Sequence, residues 1–212
     1  SAAIATQIPD SVKIVDLGAD FRLESAAKWQ KYYSKDIPHA GSWVYGLPEV
    51  TSRELIQSSS RVANPGCYAT AIALAAAPLL ANGVVDASDL VVVAASGTSG
   101  AGRNAVESLI ASEVMGSISS YKTGGVHQHI PEIEQTLSKV AGIDVKLSFT
   151  PLLAPMSRGI HVTLTAKITQ PMKNVQLLFQ SFYENSSFIT VLPEGEQPRT
   201  ASVLGGNQTQ IQ

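Results

Sequence analysis

Asn64-Pro65-Gly66-Cys67-Tyr68-Ala69-Thr70, running on through Ala and Leu to Ala81 and stopping at Asn82-Gly83, is the stretch that decides the fold. Pro65 and Gly66 make a tight turn. Before it, Arg61 to Ala63 reads as a short strand. After it, Tyr68 to Ala81 reads as a helix closed by Asn82-Gly83. The same alternation continues on both sides. Val12 to Leu17 (VKIVDL) is apolar and β-branched, as strands are. Leu90 to Ala95 (LVVVAA) has the texture of a buried strand.

Further out, Glu24 to Tyr33 is expected to be helical. Pro38 to Pro48, rich in Pro, Gly and aromatic residues, reads as a loop. Thr51 is a plausible helix cap with Glu54 three residues later. Ser96 to Gly102 is a Gly/Ser loop, with a helix expected from Arg103 to Met115. After Gly116 the pattern changes. Pro131 to Val140 reads as a helix with Pro at its first position. Val145 to Phe149 and Ile160 to Ile168 alternate like half-buried strands. Pro171 to Glu184 contains an amphipathic helix, and Phe188 to Leu192 is a short strand. Gly205-Gly206-Asn207 leads into Gln208 to Gln212, which opens like a strand and stops. The expectation is an α/β first part followed by an α+β part with a mixed sheet. There is no internal repeat and no low-complexity segment.

The chain has 212 residues, 44% hydrophobic and 15% charged, enough to bury a core. A net charge of −2 argues against a nucleic-acid surface. The longest apolar run, Ala69 to Ala81, is too short for a membrane span and holds Pro78. A single cysteine excludes an intrachain disulfide framework and a cysteine-rich zinc site. A reducing, cytoplasmic setting is the default. Ser1 opens the chain without a signal-like segment, and both ends read as those of a piece of a longer protein.

Three segments can carry chemistry. Cys67 falls at the start of a helix, where peptide dipoles favour the thiolate that attacks carbonyls; the alternative is a small apolar core residue. His127-Gln128-His129-Ile130-Pro131-Glu132 crowds titratable groups ahead of a helix. Histidine suits proton transfer near neutral pH, and Glu132 could orient an imidazole; a surface pair or a zinc fragment are the alternatives. Ser96-Gly97-Thr98-Ser99-Gly100-Ala101-Gly102-Arg103 lies between a strand and a helix, where backbone N–H groups can hold a phosphate. Its glycines fall as G-x-x-G-x-G, so it matches a dinucleotide fingerprint poorly and is equally a plain turn. Arg22, Arg103, Arg158 and Arg199 lie beside small or turn residues. Arginine binds carboxylates and phosphates in bidentate fashion, but each alone reads as a surface or loop-stapling residue. His39 and His161 have no chemical context and read as structural.

Together, VDLGADFRL (Val15 to Leu23), VYGLPE (Val44 to Glu49), NPGCY-T (Asn64 to Thr70), SGTSGAGR (Ser96 to Arg103), GVHQHIPEIEQ (Gly125 to Gln135), SFTPLLAPMSRGI (Ser148 to Ile160) and LPEGEQPRT (Leu192 to Thr200) resemble the N-acetyl-gamma-glutamyl-phosphate reductase family. That family belongs to the group that also contains aspartate-semialdehyde and glyceraldehyde-3-phosphate dehydrogenases. The resemblance implies Cys67 as nucleophile, His127 as acid/base and Glu132 as its companion carboxylate. It implies that Ser96, Gly97, Ser99, Gly100, Ala101 and Gly102 face an NADP cofactor, and that Arg22, Arg103, Arg158 and Asn64 lie toward the substrate. No metal is implied. It further implies that residues 1–63 are the remainder of a Rossmann-type dinucleotide-binding domain, and that 64–212 are a catalytic and dimerisation domain without its closing segment. A small acyl-phosphate substrate and a homo-oligomer, dimer or tetramer, are expected, in the cytoplasm or in an organelle if a transit peptide precedes the chain.

Three departures from the family pattern stand out. Ala69 replaces a Pro, Gln128 replaces an Arg, and the Gly-rich fingerprint is missing. The implied activity is NADPH-dependent reduction of N-acetyl-gamma-glutamyl phosphate to the semialdehyde through a cysteine thioester. The alternatives are a catalytically incomplete subunit acting only in association, a reductase of an aminoadipyl or aspartyl phosphate, and a Cys-His hydrolase or acyltransferase.

Overall fold

β-Branched and apolar segments in residues 1–63 pair into a small parallel sheet. In the computed structural model, which describes residues 1–102, 106–172 and 174–212, the elements there are α1 (Ala2–Ala5), β1 (Ile14–Asp16), α2 (Ala26–Tyr32), β2 (Val44–Tyr45), α3 (Arg53–Ser58) and β3 (Arg61–Ala63). β3 is central and pairs in parallel with both β1 and β2, Val62 lying opposite Val15 and Val44. Parallel strands need crossovers, and α2 and α3 supply them. Pro38 to Pro48, expected as a loop, therefore contains a strand. Two residues of β2 are too few to show a period. The α3 cap is Ser52 and not Thr51. The Ser52 hydroxyl accepts the Leu55 N–H, whereas the Thr51 N–H is used in a turn on Leu47 O. Trp29 is buried, its indole N–H donating to Ile37 O at 2.9 Å. β1 lies at the open edge of this sheet, with Val15 62% and Leu17 74% exposed.

The rest of the chain forms α4 (Cys67–Ala81), β4 (Val85–Ser96), α5 (Ala111–Val114), β5 (Ser119–Ser120), α6 (Ile130–Ala141), β6 (Leu147–Leu153), β7 (Ile160–Ile168), α7 (Val175–Phe182), β8 (Ile189–Val191) and β9 (Thr209–Ile211). The main sheet runs β5-β6-β4-β7 and is mixed. β4 is parallel to β6 and antiparallel to β7. Alternation along β4 buries Leu90, Val92 and Ala94 against α4 and α6, and leaves Val91 and Val93 on an uncovered face.

Several boundaries move. β4 begins at Val85, with a register shift before Leu90. β6 starts later than expected and continues through Pro151, opposite Ala94. The N–H that Pro lacks is tolerated near the lightly paired outer side of β6, where β5 meets only Leu152 and Leu153. The expected helix from Arg103 to Met115 begins outside the described residues. Its described remainder is a 3₁₀ turn at Glu107–Leu109 followed by the short α5. Only Val114 there is buried, so no apolar face holds a longer helix. The C-terminal residues complete β9 beside β8.

Pro78 stands inside α4 and cannot donate to Leu74 O. The Tyr183 hydroxyl takes that place, donating to Leu74 O at 2.6 Å in the core. Tyr183→Phe should thus leave a buried carbonyl unsatisfied and cost about 1–3 kcal/mol. Urea denaturation checks this, and an unchanged midpoint would remove Tyr183 from the account of α4.

Candidate active site

Gly66 caps α4, and Cys67 is its first residue, exposed to solvent. The turn before the sulfur is held by a carboxylate from another helix. Glu132, fully buried on the first turn of α6, accepts the Gly66 N–H at 2.7 Å and the Tyr45 hydroxyl at 2.8 Å, both on Oε1. Its Oε2 has no hydrogen bond but lies 3.6 Å from Arg22 Nη1, an ion pair without a hydrogen bond. Arg22 is itself buried and spends Nε on Asn64 O (2.7 Å) and Nη2 on Leu17 O (2.9 Å). The end of β1, β2, the turn and α6 are thereby tied at one point. Gly66 must be glycine, since a Cβ there would lie 2.6 Å from His129 Nε2 and 3.0 Å from Arg22 Nη1.

Glu132 was expected to orient an imidazole; among the described residues its bonds go to the turn and to Tyr45 instead. Burial pushes its carboxyl up, against Arg22 and the two hydrogen bonds, which pull it down. Tyr45 gives no signal in the sequence, because its part depends on β2.

His127 and His129 are buried with ring centroids 4.9 Å apart. Tyr68 meets His127 edge-on at 5.4 Å, and Phe149 at 5.1 Å. The His129 backbone N–H donates to His127 Nδ1 at 3.1 Å. An accepting Nδ1 places the proton of neutral His127 on Nε2. Burial lowers His127 to about 4, helped by Lys122, and lowers His129 to about 3, helped by His127 and Arg22. Both rings are therefore neutral at pH 7, and His127 presents an N–H donor.

Two cavities meet at Cys67. The larger, about 700 Å³, is lined by Cys67 together with Arg22, Lys122, His127 and His129. Ser96, Gly97, Gly100 and Ala101 form its other wall, while Ser99 and Gly102 are not part of the lining. This loop does not offer a row of free N–H groups. Gly97 donates to Gly159 O (3.0 Å), Thr98 to Met156 O (2.9 Å) and Ser99 to Ser157 O (3.1 Å). The loop is thus zipped to the Arg158 segment and shows the cavity its small side chains, which corrects the reading of it as a phosphate cradle.

The smaller cavity, about 440 Å³, is lined by Cys67, Thr70, Arg158, His161 and Arg199 among others. Asn64 lines neither cavity; its carbonyl serves Arg22 and its amide donates to Pro65 O. Arg103 lies outside the described residues. Sequence reasoning did not single out Lys122 or Tyr121, which line the larger cavity, and it read Arg199 as a surface or loop-stapling residue and His161 as structural, whereas both line the smaller one. The signal that points to Lys122 is the following Gly124-Gly125 pair, a composition that marks a turn. Lys122 adopts φ 45° and donates to Gln128 at 2.7 Å, bringing a cation to the position where Gln128 had removed one. His39, expected as structural, contacts Leu23 O at 2.7 Å.

Cys67 departs from the expected activated thiolate. Partial desolvation pushes the thiol above its ordinary value, and the N–H groups of Cys67 and Tyr68, which pull it down, do not outweigh this. The thiolate is the form that reacts, so alkylation must accelerate as pH rises. Without an imidazolium partner there is no neutral-pH plateau. Iodoacetamide should label the chain about tenfold faster per pH unit from about pH 6.5 to 8.5. As Cys67 is the only cysteine, the rate reads one site. A rate flat across that range would instead reveal a thiolate–imidazolium pair.

Residues 67–212 match the family model described as semialdehyde dehydrogenase, dimerisation domain. Curated proteins named N-acetyl-gamma-glutamyl-phosphate reductase are similar along the whole chain. That of Acidothermus cellulolyticus is 52% identical over 215 residues, covering 100% of this chain and 62% of the relative. That of Mycobacterium avium is 48% identical over 212 residues, covering 100% and 60%. The chain thus spans about three-fifths of the length of the curated relatives it matches. Among solved structures, aspartate semialdehyde dehydrogenase II from Vibrio cholerae superposes with TM-score 0.65 at 17% identity, covering 97% of this chain and 62% of that one. The Francisella tularensis aspartate semialdehyde dehydrogenase gives 0.63 at 12% identity, covering 92% and 63%. These two likenesses concern the fold.

Proposed function

The chain belongs to the semialdehyde dehydrogenase family, through that family's dimerisation domain, and on that premise we propose that it carries the acyl-transfer centre of an enzyme reducing N-acetyl-gamma-glutamyl phosphate to N-acetylglutamate semialdehyde with NADPH, in arginine biosynthesis. The observation that carries the proposal is Cys67 at a helix start, sharing one cavity with a neutral His127 whose proton sits on Nε2. The names of the relatives, at about half identity along the whole chain, support the substrate.

Cys67 as thiolate attacks the acyl carbon, the carbon–oxygen bond to phosphate breaks, and phosphate leaves with the bonding pair. A thioester on Cys67 remains. NADPH, when bound, supplies the hydride that reduces it. The fit rests on the wall of Ser96, Gly97, Gly100 and Ala101, whose small side chains leave room for a flat ring in the cavity of Cys67. His127 Nε2–H donates a hydrogen bond to the negative oxygen that develops at each stage. In the reduced adduct the pair on that oxygen re-forms the carbonyl as the carbon–sulfur bond breaks, releasing aldehyde and the Cys67 thiolate. Glu132 and Tyr45 hold the Gly66 peptide that aims the sulfur, and Arg22 and Lys122 favour the phosphoryl anion.

In the same reading, residues 1–63 belong to the cofactor side and 64–212 to the catalytic and dimerisation side. The parallel sheet of β1, β2 and β3 and the family match from Cys67 support this division. A homo-oligomer is in keeping with the uncovered face bearing Val91 and Val93. No helix among the described residues is long and apolar enough to cross a membrane, and we place the enzyme in the cytoplasm. The test is to supply the full-length protein with N-acetylglutamate semialdehyde, phosphate and NADP. Phosphate-dependent NADPH formation is expected; turnover of aspartate semialdehyde alone would contradict the substrate.

A further inference from the structure

We propose that the Cys67 thiol enters the reaction carrying its proton, and that the phosphoryl group of the bound substrate is the base that removes it, so that phosphate leaves as the hydrogen phosphate dianion. The inference rests on the reductase reading just given and adds to it the path of one proton. A phosphoryl group of this kind is a dianion above about pH 6. Were a thiolate formed beforehand to expel it, the departing group would be the phosphate trianion, which is far too basic to leave readily. A proton must therefore reach the phosphoryl group as the carbon–oxygen bond breaks.

The larger cavity offers no protein group suited to take that proton from sulfur first. Its lining, which Cys67 shares with Arg22, Lys122, His127 and His129, contains no Asp or Glu. Glu132 is fully buried and lines neither cavity; its Oε1 accepts from Gly66 and Tyr45, and its Oε2 faces Arg22. His127 Nδ1 accepts the His129 backbone N–H, so the other ring nitrogen is a donor. Burial, then His127 and Arg22, oppose a charge on His129. Tyr121 donates to the Tyr68 hydroxyl at 3.0 Å, and Tyr68 donates to Leu152 O at 3.0 Å. On the other side of the sulfur, Arg158, His161 and Arg199 line the smaller cavity and are absent from the lining of the larger. Cations and N–H donors thus surround the place of the phosphoryl group, and its own oxygens are the best acceptors to enter it. The thiol suits this arrangement, because partial desolvation keeps its proton on.

The step balances. The sulfur–hydrogen bond breaks and a phosphoryl oxygen–hydrogen bond forms. The sulfur pair makes the carbon–sulfur bond, and the carbon–oxygen pair leaves with hydrogen phosphate. When the reduced adduct collapses, the expelled thiolate takes a proton from water. One proton is consumed for each aldehyde formed, and it passes through Cys67.

The test follows first-turnover acylation of Cys67 in the full-length protein without NADPH. With N-acetyl-gamma-glutamyl phosphate the rate should vary by no more than about twofold from about pH 6.5 to 8.5, because thiol and dianion both prevail across that range. The acyl methyl phosphate keeps an anion but loses the basic oxygen, and the γ-4-nitrophenyl ester has no phosphoryl group. Both should acylate Cys67 about tenfold faster per pH unit, as the thiolate fraction grows. His161→Asn should leave the acyl phosphate profile flat. A tenfold rise per unit with the acyl phosphate as well would overturn the proposal, since the thiolate would then form without help from the substrate. Flat profiles with all three donors, or a slope gained in His161→Asn, would place the base on the protein and overturn it equally. No acylation by the acyl phosphate at any pH would overturn the reductase reading itself, an outcome distinct from any slope.

Discussion

Cys67→Ser will lower phosphate-dependent NADPH formation by the full-length protein by about a thousandfold or more. A serine hydroxyl gives up its proton far less readily than a thiol. Its replacement would therefore need a strong base beside it, and the structure provides none. His127 carries its proton on Nε2 and is depressed by burial to about 4, so it is built to donate and not to accept. A hydrolase of the Ser–His type has the opposite arrangement, an imidazole whose free nitrogen faces the nucleophile. The substitution also separates chemistry from folding. Cys67 is exposed, and removing its sulfur should move the unfolding free energy by no more than about 0.5 kcal/mol. A serine variant that keeps a tenth of the wild-type rate would mean that another group attacks the acyl carbon.

Glu132→Ala should cost about 3–5 kcal/mol of stability, measured by urea denaturation. Glu132 is fully buried and serves three partners from three segments: the Gly66 N–H, the Tyr45 hydroxyl and the Arg22 guanidinium. Alanine leaves a buried cation uncompensated and two donors unpaired. Glu132→Gln keeps an acceptor for Gly66 and Tyr45 but turns the charged side neutral beside Arg22, so its cost should be smaller, about 1–3 kcal/mol. A Tyr45→Phe change should cost little when added to Glu132→Ala, because the hydroxyl has by then lost its partner. A loss under about 1 kcal/mol for Glu132→Ala would show that water reaches the Gly66 turn and that the carboxylate is not what holds it.

Much of this site is legible residue by residue. A turn ending in Gly66 before an Ala/Leu helix announces where Cys67 will sit, and His127, His129 and Glu132 share one run that meets it. The partners of those groups are less legible. Tyr45 reaches Glu132 only because β2, two residues inside a Pro-rich segment, pairs with β3. Such a short strand carries no period. The helix running through Pro78 is legible, but the partner that replaces the lost hydrogen bond is not: Tyr183, far along the chain, donates to Leu74 O. Arg199 reads as a surface or loop-stapling residue and His161 as structural, and only the folding of β7 and the segment before β9 brings them to the cavity of Cys67. The thiol itself was expected to be lowered by its helix. Desolvation, a sum over all neighbours, decides otherwise.

The account turns on a thioester at Cys67, and mass spectrometry reads it directly. The full-length protein is mixed with N-acetyl-gamma-glutamyl phosphate in the absence of NADPH, quenched in acid and digested. One N-acetylglutamyl group on the peptide containing Cys67, removable by hydroxylamine and matched by an equivalent of released phosphate, is the predicted result. Phosphate release with Cys67 unmodified, or an acyl group on any other residue, would contradict it.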